Sequence, residues 1–472
     1  MNKNYDVVII GGGPSGHSSA VRIAELGGKV AIIERDFIGG ICTNWGCTPS
    51  KAMIESAKVA YEAARAPDYG IEVGKVIVDF SKVAARRNKV VESTRAFITD
   101  LLRFHKVDIY QGEAIIDSPE RVIVKHGKLD PDGVTMHYTL GEDELGTRNI
   151  IIATGSQPLI PGFIDEKDPS IISSNRLISI DHLPKTLTIV GGGVIGMEFA
   201  TIFSSLGSKV QIVEFLSRCI ALTDPDISEY LTNVLEKRGV KILTNHKVLS
   251  IHKGQLEAEN QVTKEMVHVK SDMFLIAIGR QAVVHEETYK KLGIQFSRKG
   301  VEVNEYLQTN VPGIWAIGDA TGKSILAHVG IQQGIIAAEN IRAKKNAPLR
   351  KMDYSVIPAV IYSIPEVAMV GTVPEDLKDV KVVKVPFDVN LRANIEDHKD
   401  GFIKLWIKDN HLVAAQATGY TVSEIFQEFS NMIALKTDIR DVSEIIHAHP
   451  TYSEIARSGL DYALGKAVDF HL

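Results

Sequence analysis

Runs of aliphatic and β-branched residues alternate along this chain with glycine-rich turns and with stretches of helical period. This is the pattern of strand–turn–helix units. The first unit is Tyr5 to Ile10, then Gly11-Gly12-Gly13-Pro14-Ser15-Gly16, a helical pattern to about Leu26, and a second strand, Lys29 to Ile33, ending on Glu34. A second unit repeats it: Leu187 to Val190 leads into Gly191-Gly192-Gly193-Val194-Ile195-Gly196, a helix reaches about Leu206, and Lys209 to Val213 ends on Glu214. In both copies the acid falls 18 residues after the last glycine. The pattern also predicts helices over 50–66 and 80–106, strands over 107–116 and 121–124, a turn-rich excursion over 128–143, and a buried strand at 149–156. Residues 307–319 read as a strand with Asp319 at its tip, and Ile325 to His328 as the opening of a helix. From about Lys351 the texture becomes β-branched, with strands over 356–362, 367–370, 381–385, 401–407 and 412–417 and two helices after Ser423.

A chain of 472 residues exceeds what one core supports, so about three packed units are expected. The expected fold class is α/β: two Rossmann-like dinucleotide-binding domains plus a C-terminal α+β dimerisation domain. The expected boundaries are 1–156 for the first nucleotide domain, 157–280 for the second, 281–350 for a central segment returning to the first, and 351–472 for the interface unit. Lys plus Arg is 53 against 58 for Asp plus Glu, a net charge of −5, and no long run carries one sign. This points away from nucleic acid and from a membrane as partners. No segment reaches the roughly 20 apolar residues of a membrane span, and the start of the chain reads as a first strand, not a signal peptide. Three cysteines in so long a chain do not make a secreted disulfide framework, so the expected location is cytoplasmic.

Each part of the repeated glycine motif has a physical task. Gly11 and Gly191 allow the tight turn, Gly13 and Gly193 let the backbone approach a pyrophosphate, and Gly16 and Gly196 allow close helix packing. The helix N-terminus supplies amide donors to the phosphates. Glu34 would accept hydrogen bonds from an adenosine ribose. Glu214 would bond a free ribose 2′-hydroxyl and repel a 2′-phosphate, so the second site is expected to prefer NAD over NADP. Arg218 reads as a solvated arginine and Cys219 as structural.

Gly39-Gly40-Ile41-Cys42-Thr43-Asn44-Trp45-Gly46-Cys47-Thr48-Pro49-Ser50-Lys51 holds the other two cysteines, with four residues between them. A redox-active pair and a structural disulfide both suit it. An undistorted helix rises about 7.5 Å over five residues, whereas a disulfide needs Cα atoms within about 6.8 Å, so the bond requires a bent turn, which Gly46 and Pro49 allow. Such a short loop makes a poor staple, and this favours the reactive pair. Glu198 is either an acid suited to the first turns of its helix or a partner for Lys51. Asp319 is a helix cap or an acceptor for a cofactor's hydroxyls. Thr451 and Glu454 have capping-box spacing, while His449 before Pro450, with Glu454 five residues on, also suits a general acid/base oriented by a carboxylate. No metal site is predicted.

Together these segments resemble the flavoprotein disulfide reductases, most closely the dihydrolipoamide dehydrogenases, from the first strand to the last helix. The residues carrying the likeness are Gly39 to Lys51, both glycine motifs, Ala153-Thr154-Gly155, Gly318-Asp319 and His449-Pro450-Thr451. The resemblance implies FAD in the first site, NAD in the second, and a homodimer serving a lipoylated carrier of a 2-oxoacid dehydrogenase or glycine-cleavage system. It makes Cys42 the thiol that exchanges with substrate and Cys47 the thiol facing the flavin, with His449 supplied by the other subunit and oriented by Glu454. Lys51 and Glu198 would tune the flavin, which Thr154, Gly155, Ser156, Asp319, Leu326, Ala327 and His328 would line. Ala114 would lie by the first nucleotide, and Val248 and Gly279 by the second. Trp45, Thr48, Ile364, the run Gln416 to Tyr420, and Tyr452 depart from the common pattern, which bears on the identity of the disulfide substrate. Two further readings are another disulfide substrate within the same family and a non-catalytic docking subunit.

Overall fold

A computed structural model describes residues 3–129 and 136–468. The first glycine motif opens a parallel sheet in which Lys3–Ile10 lies between Val30–Glu34 and the end of Met136–Ile152. Asp108–Ser118 flanks Val30–Glu34, and Ile314–Ala316 closes the far side by pairing with Met136–Ile152. Two long strands leave this sheet. The later part of Asp108–Ser118 and the earlier part of Met136–Ile152 pair antiparallel with Arg121–Leu129, forming a meander over one side. Residues 136–143, expected in a turn-rich excursion, are thus strand. Positions 137–139, 141 and 142 are exposed at successive residues, so both faces are solvated and the apolar alternation that marks a half-buried strand is absent. The middle of that expected excursion, 130–135, lies outside the described residues.

The second unit repeats the plan. Lys241–Leu243, Lys209–Val213, Thr186–Val190, Met273–Ile276 and Ile171–Ser173 pair in that order, all parallel, with its own three-stranded meander, His246–His252, Gln255–Asn260 and Met266–Lys270. The chain crosses between the units along Ser156–Pro158 and returns along Arg280–Ala282, and these two segments pair antiparallel as a ribbon. The C-terminal unit is a five-stranded antiparallel sheet, ordered Ala359–Ile361, Glu366–Gly371, His411–Gly419, Phe402–Lys408, Val380–Pro386. The helices Val422–Leu435 and Glu454–Ala463 pack on it, with a short third helix, Ile439–Ser443, where two were expected.

Both motif helices lie close to their strands. A Cβ on Gly16 would stand 2.0 Å from the Gly11 oxygen, and one on Gly196 2.0 Å from the Gly191 oxygen. Gly11 and Gly191 have φ of +109° and +108°, conformations that favour glycine. Gly196→Ala is therefore expected to cost roughly 1–3 kcal/mol through overpacking, read as a lowered thermal midpoint. An unchanged midpoint would show that the helix can slide away.

Candidate active site

The cysteine segment folds as two helices interrupted at Gly46: Gly40–Trp45 and then Cys47–Arg65. The expected helix start at Ser50 is corrected to Cys47, because Pro49 is tolerated in a first turn where its missing N–H leaves no intrahelical bond unmade. The consequence is chemical. Cys47 is the first residue of a 19-residue helix, and the positive end of the helix dipole favours its thiolate.

This segment is stitched to the first nucleotide loop. The Gly39 N–H donates to the Gly12 oxygen at 2.8 Å, and Gly40, at φ +55°, packs so closely that a Cβ there would stand 2.7 Å from the Gly13 Cα. Asn44 holds the turn that leads into the cysteine segment, donating to the oxygens of Phe37, Ile38 and Gly40 at 3.3, 3.2 and 2.9 Å. Arg95, from the helix Phe80–Phe104, donates to the Asn44 Oδ1 at 2.9 Å and lies 3.7 Å over the Phe37 ring. Trp45 is turned toward the apolar cluster containing Met53, Phe199 and Phe203, where its bulk serves packing.

The Cys42 and Cys47 side chains lie within hydrogen-bonding reach of one another. Hydrogen bonding from Cys42, with the Lys51 charge as a smaller contribution, pulls Cys47 down to about 7. The same bond to Cys47, and then burial, pushes the Cys42 thiol upward. Lys51 Nζ donates to both Glu198 oxygens at 3.0 Å and lies 4.4 Å over the Tyr362 ring. Glu198 Oε1 also accepts the Tyr362 N–H at 2.9 Å, so it acts as an ion-pair partner and not simply as a first-turn acid.

Asp319 sits in a short 3₁₀ turn, Gly318–Thr321, and accepts from Ser156 Oγ at 2.6 Å. Burial raises its carboxyl above the usual range. Arg280 donates through Nε to Ser156 Oγ and through Nη2 to the Ser156 oxygen, both at 2.9 Å. Arg280 carries no signal of its own in the sequence, since its partner Ser156 lies 124 positions away. Thr154 donates to the Val283 oxygen at 3.1 Å. Gly155 and Gly279 have φ of +73° and +130°, and a Cβ added to either would meet no heavy atom within 4 Å. Leu326 precedes the helix Ala327–Ile341, and His328 Nε2 contacts the Pro358 oxygen at 2.9 Å. Ala114 and Val248 each lie in the first strand of a meander, opposite Val124 and Ala258.

The two acids at the strand ends make the same bonds. Glu34 accepts the Gly12 and Asp36 N–H groups at 2.7 and 2.9 Å; Glu214 accepts those of Gly192 and Leu216 at 2.5 and 2.6 Å. An ionised carboxylate has about four acceptor sites, so each retains capacity for ribose hydroxyls. A Cβ on Gly13 would meet nothing nearer than 4.0 Å, and one on Gly193 nothing within 4 Å. Both loops thus leave the open backbone cradle that a pyrophosphate requires, and the residues fit a dinucleotide at each site. Arg218 is corrected from a solvated side chain: it donates to the oxygens of Thr223 and Ala221 at 2.7 and 2.8 Å and braces its own loop. Cys219 is buried against Gly192, where burial pushes its thiol up to about 12.

Far along the chain, His449 Nδ1 meets Glu454 Oε1 at 2.8 Å, and the other Glu454 oxygen accepts the Thr451 N–H at 2.7 Å. Of the expected capping box, the return bond from the Thr451 N–H to Glu454 is made, while the Thr451 hydroxyl donates instead to the Ala448 oxygen at 2.8 Å. Among the described residues, no group of three or more His, Cys, Asp or Glu is placed to hold a metal, and no helix is long and apolar enough to cross a membrane.

Residues 5–334 match the model of the pyridine nucleotide-disulphide oxidoreductases, and residues 357–458 match that family's dimerisation domain. The chain belongs to this family. The oxidoreductase is 34% identical over 480 residues to the dihydrolipoyl dehydrogenase of Chlamydia pneumoniae, covering 100% of this chain and 99% of that protein. It is also 34% identical over 485 residues to that of Bacillus subtilis, covering 100% of both. Among solved structures, the Cu(II) complex of the HOCl-induced flavoprotein disulfide reductase RclA from Escherichia coli superposes with a TM-score of 0.84 at 27% identity, covering 98% of this chain and 100% of that one.

Two outcomes test this site. Lys51→Met is expected to move the pH midpoint of Cys47 alkylation in the reduced oxidoreductase upward from about 7, since the thiolate loses a nearby cation; an unmoved midpoint would assign the effect to Cys42 and the helix alone. Gly193→Ala is expected to leave the thermal midpoint nearly unchanged while weakening NADH binding, measured by fluorescence titration.

Proposed function

We propose that this oxidoreductase is a homodimeric, NAD-dependent dihydrolipoyl dehydrogenase that oxidises the dihydrolipoyl group of a lipoylated carrier protein. The observation that carries this reading is the division of labour within the thiol pair. Cys47 is held toward its thiolate by Cys42, by Lys51 and by the helix N-terminus, while Cys42 is pushed the other way. An interchange thiol held protonated needs an outside base, because only the thiolate attacks a disulfide.

FAD and NAD are the cofactors. Bound FAD supplies a two-electron redox centre that exchanges electrons with the thiol pair and hydride with the nicotinamide. The remaining chemistry belongs to the chain. With the pair oxidised, a dihydrolipoyl thiolate attacks the Cys42 sulfur, the Cys42–Cys47 bond breaks, and Cys47 departs as thiolate. The second lipoyl thiolate then attacks the lipoyl sulfur bound to Cys42, closing the disulfide ring and releasing Cys42. His449 takes the proton of the first lipoyl thiol and passes it to solvent, then takes that of the second and returns it to the departing Cys42, while Glu454 fixes the imidazole so that Nε2 faces the sulfur atoms.

His449 acts in the partner's site under this reading. Support comes from its own chain, where the 449–454 segment is tied through Tyr452 and Tyr420 to the neighbourhood of Lys58. Lys58 lies about 16 Å beyond Cys47 along the helix axis. The dimerisation-domain match over 357–458 includes this segment. At the second site, Glu214 is fixed beside the motif loop and Arg218 is occupied by carbonyls, which sets a carboxylate, and not Arg218, where a 2′-phosphate would lie.

The test is the initial rate of NAD⁺ reduction by dihydrolipoamide with the purified flavoprotein. Turnover is expected with NAD⁺, and turnover with NADP⁺ about tenfold or more lower, corresponding to ~1.4 kcal/mol or more of discrimination. Cys47→Ser abolishes it, and His449→Gln lowers kcat roughly 10²- to 10⁴-fold. Flavin that NADH reduces, with no turnover of dihydrolipoamide, would keep the family and exclude the lipoyl substrate.

A further inference from the structure

Two of the positions at which this chain departs from the common family pattern meet in space. The rings of Tyr420 and Tyr452 lie 5.9 Å apart, although Tyr420 follows a strand of the C-terminal sheet and Tyr452 lies between His449 and Glu454. Tyr452 donates its hydroxyl to Glu396 Oε2 at 2.9 Å and sets its ring edge-on to Phe387 at 6.4 Å. Tyr420 stacks on His398 at 3.8 Å with the planes 8° apart.

The loop 396–398 is in turn clamped to the outer half of the cysteine helix. His398 Nε2 lies 3.6 Å from Glu62 and its Nδ1 3.4 Å from Arg65 Nη1; Arg65 Nη2 donates to Asp397 at 2.7 Å; and Tyr69, in the turn after the helix, donates to the Glu396 oxygen at 2.5 Å. Lys58 lies 5.8 Å over the Tyr420 ring and pairs with Glu366 at 2.9 Å. Positions 58, 62 and 65 share one helix face. Glu396 also pairs with Arg392.

His449 itself is exposed, with 63% of its side-chain surface accessible, on an irregular stretch between the helices Ile439–Ser443 and Glu454–Ala463. Beyond its own Glu454 and Thr451 bonds, that stretch is held by Asn390 Nδ2, which donates to the Thr451 oxygen at 3.1 Å, by the His447–Glu428 contact at 3.0 Å, and by the Tyr452 hydroxyl. An aliphatic or small residue at 452 could not reach a carboxylate. We propose that Tyr452 is a positioning residue for the His449–Glu454 acid/base pair, anchoring it through Glu396 and the Tyr420–His398 stack to the cysteine helix of the same chain. This role rests on the reading of His449 as the acid/base. It explains why an aromatic hydroxyl stands at 452 and why a second tyrosine stands at 420 to meet it.

The experiment compares Tyr452→Phe, Glu396→Gln and His449→Gln in the flavin-loaded dimer. Tyr452→Phe is expected to lower kcat for dihydrolipoamide oxidation on the order of 10-fold, as a small displacement of an acid/base does, and to displace the pH dependence of kcat, with KM changed less than about twofold. Flavin content and NADH-driven ferricyanide reduction, which bypasses the thiols, are expected to stay at the wild-type level. Glu396→Gln, which keeps an acceptor for the hydroxyl, is expected to retain most of the rate. Loss in His449→Gln together with wild-type kcat and pH dependence in Tyr452→Phe would overturn the positioning role alone. Equal losses of lipoamide and ferricyanide activity in Tyr452→Phe would reduce it to general packing. Full lipoamide activity in His449→Gln would overturn the functional reading and this role with it.

Discussion

The contact between Gly40 and Gly13 sets the geometry on which everything else depends. Two backbones meet there without side chains, and the Gly39–Gly12 hydrogen bond locks them. The cysteine segment is thereby fixed against the loop that is open to a pyrophosphate, and a thiol pair can stand beside a cofactor with no flexible linker between. The helical break at Gly46 then presents Cys47 at a helix start. A continuous helix would have placed that sulfur in mid-helix, without the dipole and with no short path back to Cys42.

Charge is distributed around this pair by residues far apart in sequence. Lys51 is neutralised by Glu198 from the second nucleotide unit, and Glu198 is itself held by the Tyr362 N–H at the entrance to the C-terminal sheet. All three units therefore contribute to the electrostatics of one lysine. Such a buried carboxylate stays favourable only while its partners remain in place, which ties the relative position of the units to the redox site.

What was legible in the sequence was local. Both nucleotide units could be read because glycine spacing, strand composition and a terminal acid fall within some thirty residues of each other, and the strands of the C-terminal sheet because their β-branched runs are short and bounded. What escaped depended on distant contacts. Arg95 reaches Asn44 across 51 positions, and nothing in its own neighbourhood marks it. Arg218 looked solvated because its acceptors are backbone oxygens, which carry no residue identity. Gly46 and Pro49 were read as a turn ending at Ser50, whereas the helix had already begun at Cys47. The meeting of Tyr420 with Tyr452 follows from sheet topology, so each appeared only as an isolated departure.

The paired ribbon of Ser156–Pro158 and Arg280–Ala282 also bears on how the molecule is made. It renders the second nucleotide unit an insertion with adjacent ends, a form that can close on itself independently. The strand Ile314–Ala316, which completes the first sheet, is encoded only after that insertion. On the ribosome, the N-terminal unit therefore waits with one sheet edge open until the inserted unit has emerged, and an unpaired edge is the feature through which chains join wrongly. The same detour that brings Glu198 to Lys51 exposes the nascent chain to mispairing for as long as the intervening residues take to be synthesised.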